Sequence, residues 1–119
     1  MSNVFQHRAW KWVIDCFGVE TSEDKVERNH RFLEESLELV QSLGCSSEEA
    51  HKLVDYVYDR PIGEPKQEVG GVMVTLAILC TSHDIDMFYS GNVELERILT
   101  RVDEIREKQA KKPKMREEN

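Results

Sequence analysis

Apolar residues recur at three- and four-residue spacings along most of the chain, and strand-like alternation is nearly absent. The pattern predicts a first helix from about Val4 to Phe17, opened by Asn3 as N-cap and stopped by Gly18. A second opens near Thr21 or Ser22, carries Asp24 in its first turn and ends at Gly44. A third starts at Ser46-Ser47-Glu48-Glu49, where Ser46 and Glu49 have capping-box spacing, and fades by Asp59-Arg60. Arg60 to Gly63 reads as a loop, and Pro65 stands where a first helical residue belongs. The fourth helix then reaches about Ser82. A turn at Ser90-Gly91-Asn92 precedes a fifth helix over roughly Val93 to Ala110, and Lys111 to Asn119 reads as a frayed tail.

The faces of these helices differ. On a helical wheel the second places Val26, Leu33, Leu37 and Val40 on one arc, with Glu27, Arg31, Glu34 and Glu38 opposite and Glu35 at the boundary. The fourth is apolar nearly all round after Glu68, the mark of a central, buried helix. The fifth is an ordinary amphipathic pattern through Leu95, Ile98, Leu99, Val102 and Ile105. The expected fold is all-α, a bundle of four main helices plus a shorter one. Residues 1–110 are expected as one domain, and 111–119 as a flexible tail.

Composition narrows the class. A chain of 119 residues makes one core, and 33% charged with 39% hydrophobic residues is the profile of a soluble globular protein. The net charge of −7 argues against binding nucleic acid by coating phosphates with Lys and Arg. Three cysteines, Cys16, Cys45 and Cys80, make no disulfide framework and no zinc spacing, which suits a reducing, cytoplasmic setting. Met1-Ser2-Asn3 begins no apolar signal segment, and Val69 to Cys80 is too short for a membrane span, so neither export nor a membrane is expected.

Two acidic groups could carry chemistry. Glu35 and Glu38, three apart on the second helix, can aim carboxylates at one point, with Glu34 beside them; such a cluster is either a solvated face or a cation site. Glu68 stands at the head of the apolar fourth helix, where it either favours the helix dipole or needs a partner or metal. Gly70 and Gly71 follow it, each costing about 1 kcal/mol against Ala inside a helix. Something is expected to approach the backbone there, another helix or a ligand.

The spacing Glu35-x-x-Glu38, then Glu68-x-x-Gly71 on a later helix, resembles the EXXE…EXXD pattern of MazG-like nucleoside triphosphate pyrophosphohydrolases, of the all-α NTP pyrophosphatase superfamily. The likeness runs from about Arg28 to Lys108. It implies Mg²⁺ (or Mn²⁺) held by Glu35, Glu38 and Glu68, with Glu34 as general base, and hydrolysis of a nucleoside triphosphate to monophosphate and pyrophosphate in cleaning the nucleotide pool. It also implies a homodimer or higher homo-oligomer. Gln67 and Gly71 depart from the family segment, Gly71 standing in place of its last carboxylate. The alternative is a non-catalytic nucleotide- or partner-binding protein on the same scaffold.

Other polar residues keep two roles open. Asn29, within the apolar arc, is a core hydrogen-bonder or a base reader. Arg28 and Arg31 meet phosphate or make helix pairs, Arg31 with Glu35. Arg101, Arg106 and Lys108 stand about where the resemblance implies phosphate-binding basic residues, or else form a basic solvated face. Glu64 is a supporting carboxylate or a helix cap, and Asp84-Ile85-Asp86 reads as loop and cap chemistry. Trp10 and Trp12, two apart, cannot share a helix face, so one packs in the core and the other is free to stack on a base.

Overall fold

The computed structural model describes residues 4–113. Six helices follow one another: α1 (Val4–Glu23), α2 (Lys25–Ser42), α3 (Ser47–Tyr58), α4 (Pro65–Ser82), α5 (Met87–Leu99) and α6 (Val102–Ala110). No strand occurs among the described residues, so the fold is all-α. The backbone gathers into two units, Met1–Asn29 with Asp86–Asn119, and His30–Ile85. Residues 1–110, expected as one domain, fall across both. The Asn3 cap and residues 114–119 of the expected tail lie outside the described residues.

In the first unit α1, α5 and α6 pack on one another. Val13, Cys16 and Leu95 are its buried apolar residues. Gly18 breaks α1 where the sequence put a stop, with φ 85° and ψ 166°, a conformation that is essentially Gly-only. The chain then resumes helically to Glu23, and the buried Ser22 hydroxyl donates to the Gly18 carbonyl at 2.7 Å. A break leaves carbonyls without helical partners. Arg106 of α6 supplies donors for two of them, Cys16 O at 2.5 Å and Asp15 O at 3.2 Å. Trp12 Nε1 donates to Ile98 O at 3.2 Å, and its ring meets Phe17 edge-on, centroids 5.9 Å apart.

Two boundaries here differ from expectation. α2 begins at Lys25, because Asp24 is its cap rather than a first-turn residue: Asp24 Oδ1 accepts from Val26 N at 3.1 Å and Glu27 N at 3.2 Å. The anticipated turn at Ser90–Asn92 is helical. Asp86 caps α5 through Tyr89 N at 2.8 Å, and the helix runs on through Gly91, against whose backbone the Phe5 ring lies. A Cβ at Gly91 would stand 3.3 Å from Phe5 Cζ. The expected fifth helix instead ends at Thr100, whose hydroxyl bonds Arg97 O at 2.9 Å, and restarts as α6 after Arg101.

In the second unit the stops and starts fall where the sequence placed them. α2 ends in a Schellman turn: Gly44 has φ 94°, and Cys45 N bonds Val40 O at 2.9 Å. The Ser46–Glu49 capping box of α3 closes in both directions, at 3.1 and 2.8 Å. Pro65 opens α4, and Glu64 caps it by accepting from Gln67 N at 3.0 Å. The end of α4 repeats the Schellman pattern with Asp84, φ 56°, in place of glycine, and Ile85 N bonding Cys80 O at 2.9 Å.

The buried, central position expected for α4 is overturned. Cys80 is its one buried residue, while Val69, Met73, Val74 and Ile78 are each more than half exposed. The apolar pattern states that a helix is to be covered, not by which chain. Fifteen large apolar side chains between His30 and Ile85 stay exposed. A fully buried side chain of this kind corresponds to about 60–120 Å², from roughly 1.5–3 kcal/mol at ~25 cal/mol per Å². About half exposed, these leave on the order of 700 Å² of apolar side chain uncovered, summed over the unit.

Candidate functional site

The carboxylates singled out by the sequence all lie in the second unit. Glu34, Glu35 and Glu38 occupy consecutive turns of α2, with Glu34 half-buried and the other two exposed. Arg31 pairs with Glu34, Nη1 to Oε1 3.2 Å. This is an i,i+3 pair along one face of α2. That contact fixes the Glu34 carboxylate along the α2 surface.

Glu68 lies in the first turn of α4 and is exposed. Pro65 and the Glu64 cap place it there, and the helix N-terminus favours its negative charge. Its carboxylate folds back over the preceding loop: a Cβ built on Gly63 would lie 2.0 Å from Glu68 Oε2. Glycine at position 63 therefore leaves the space that this carboxylate occupies. The Glu64 carboxylate, by contrast, is spent on its own helix cap.

Hard Mg²⁺ is carried by oxygen ligands, and carboxylates are the right donors. Convergence is a separate matter. Among the described residues of one chain, no three His, Cys, Asp or Glu side chains stand close enough together to hold a metal ion. Gly71 adds no oxygen, and a Cβ there, as at Gly70, would meet nothing within 4 Å. One chain in this conformation thus does not present the three-carboxylate set.

The basic and base-reading candidates divide between structural and open roles. Asn29 is exposed on α2. Arg101 pairs with Glu104 at 3.3 Å, and Arg106 holds the α1 carbonyls already described. Lys108 is exposed on the last turn of α6 and contributes to holding the Glu94 carboxyl below its ordinary value. The larger cause there is Arg97, whose fork donates to Glu94 at 2.9 and 2.7 Å. Burial pushes the Cys16 thiol up, which makes it an unreactive core group.

Arg28 has a different setting. It lines a cleft of about 550 Å³ in the first unit, with Phe5, Trp10, Trp12, Glu94 and Leu95 among the walls. Trp10 is 41% exposed there, whereas Trp12 is half-buried and donates its Nε1 to Ile98 O. Among the described residues Arg28 Nε is buried without a hydrogen-bond partner. A donor left so has an unmet demand, which an acceptor on a bound molecule would satisfy. The sequence could place Arg28 near the acidic cluster but not in this cleft, since the walls come from residues about 20 and 65 positions away.

Compared with protein families, curated proteins and solved structures, the chain shows no match in any of the three. No single helix among the described residues is long and apolar enough to cross a membrane; only α4 and α5 taken as a broken pair reach that length and composition.

Proposed function

We propose that the chain is a Mg²⁺-dependent nucleoside triphosphate pyrophosphohydrolase, releasing monophosphate and pyrophosphate in the upkeep of the nucleotide pool. The observation that carries this reading is the placing of Glu35 and Glu38 one turn apart on the accessible face of α2, with a third accessible carboxylate, Glu68, at the head of α4. Glu35, Glu38 and Glu68 are the residues to hold the cation once brought together. A bound divalent cation supplies neutralisation of phosphate charge. Glu34 is the general base for water, and Arg31 positions it.

The test is pyrophosphate release from canonical and modified deoxynucleoside triphosphates, with Mg²⁺, with Mn²⁺ and with chelator. Metal-dependent release supports the reading. The second reading, nucleotide binding without hydrolysis, is favoured by one feature, Gly71 in place of a motif acid. Saturable nucleotide binding with no pyrophosphate would establish it instead.

A further inference from the structure

Every wall of the cleft beside Arg28 comes from the first unit, whereas Glu34, Glu35, Glu38 and Glu68 belong to the second. Its chemistry is accordingly set by its own residues. Phe5, Trp10, Trp12, Val13 and Leu95 make it mainly apolar, and about 550 Å³ falls within the ~300–1,000 Å³ of small-molecule pockets. Among the described residues two of its walls are charged, Arg28 and Glu94. Glu94 is already held by the Arg97 fork, at 2.9 and 2.7 Å. Arg28 is therefore the charged wall whose donor goes unmet, its Nε being buried without a partner. Its backbone is fixed in the first turn of α2, Arg28 N bonding Asp24 O at 3.0 Å.

We propose that this cleft binds a small aromatic monocarboxylate, its ring against Trp10 and its carboxylate on the Arg28 guanidinium. The exposed rings of Phe5 and Trp10 offer an aromatic body flat apolar surface to pack on. A carboxylate accepting from Nε can accept from a neighbouring Nη with its second oxygen, the two-point match of planar guanidinium to planar carboxylate. Charge selects one carboxylate over a polyphosphate. The walls supply one cation and one acid, so a single negative charge is matched on Arg28. The further charges of a triphosphate would face Glu94 in a mainly apolar cleft, which is costly without partners. The site is thus separate from the hydrolase proposal, whose carboxylates lie in the other unit.

Trp10 and Trp12 are the two tryptophans of the chain and both line the cleft, so tryptophan fluorescence of the full chain reads its occupancy. The probes are 3-phenylpropionate, 3-phenylpropionamide as its neutral counterpart, and deoxyadenosine triphosphate. The acid is expected to give a saturable change, with the amide weaker by roughly tenfold or more, as for a hydrogen bond to a charged group. Arg28→Gln should weaken the acid by a similar factor and leave the amide unchanged, with its helix retained by far-UV circular dichroism. The comparison of acid with amide uses the wild type, so it stands whether or not the variant folds. Equal affinity for acid and amide overturns the proposal, because a water then satisfies Arg28 as well as a carboxylate does. So does the absence of a saturable change with the acid, or a folded Arg28→Gln that binds it as tightly as the wild type. Saturation by the triphosphate at lower concentration than by the acid also overturns it. Pyrophosphate release is not the readout, so failure here leaves the hydrolase proposal untouched.

Discussion

Gly18→Ala isolates a backbone effect. Gly18 has φ 85° and ψ 166°, and a Cβ added there would touch nothing within 4 Å, so no side chain has to move. The cost is then conformational: of order 1–3 kcal/mol for a non-glycine residue in that region. Against it, Ala loses less freedom than Gly on folding, which returns about 0.4–1 kcal/mol. The net loss should be about 1–2 kcal/mol. Urea unfolding followed at the helix band would show it directly, and the thermal midpoint should fall by roughly 3–8 °C. A variant as stable as the wild type would refute the reasoning, since it would mean that α1 does not need its break at residue 18. The break matters beyond its own strain, because it frees the carbonyls that Arg106 binds and so ties α6 to α1.

Two further outcomes follow from contacts in the first unit. Arg106→Leu should destabilise by about 1.5–3 kcal/mol, the range for a charge-assisted hydrogen bond, and chemical denaturation would measure it. Glu94 has its folded pKa lowered, chiefly by Arg97, so its stabilising effect is present above the unfolded value and is lost as pH falls through the folded one. Glu94→Gln should therefore flatten the acid limb of the stability profile below about pH 4.5, with little change in slope at neutral pH.

Local chemistry made much of the fold legible. Ser46 with Glu49, Pro65 after Glu64, and Gly44 after an apolar run are each complete signals within four residues, and the helix ends fall on them. The misses have equally local causes. Ser90-Gly91-Asn92 has turn composition, yet the Asp86 cap upstream and the buried Leu95 downstream hold one helix through it, and Gly91 is there for Phe5. The break at Thr100-Arg101 carries no Gly or Pro to announce it. Asp24 was visible as an acid but not as the cap, because Thr21 and Ser22 offer the same chemistry nearby. α4 shows the limit of a hydrophobic pattern: it announced the helix, yet among the described residues only Cys80 of that helix is buried.

The candidate site was legible in part. Spacing along α2 put Glu35 and Glu38 together, because three residues make about one turn. Joining them to Glu68 depends on helix packing, which no spacing encodes. Arg106 was a candidate for phosphate, and its structural role could not be read because the carbonyls it serves lie some 90 residues away. The Arg28 cleft is hidden for the same reason.

The central claim is the hydrolysis of a nucleoside triphosphate between its α and β phosphates. Product analysis by phosphorus NMR, on wild type and Glu38→Gln with Mg²⁺ and with chelator, tests it most directly. Monophosphate and pyrophosphate in equal amounts from the wild type with Mg²⁺, and a large loss in both the variant and the chelated sample, is the predicted result. Diphosphate with inorganic phosphate, or pyrophosphate release that Glu38→Gln leaves unchanged, would contradict the claim.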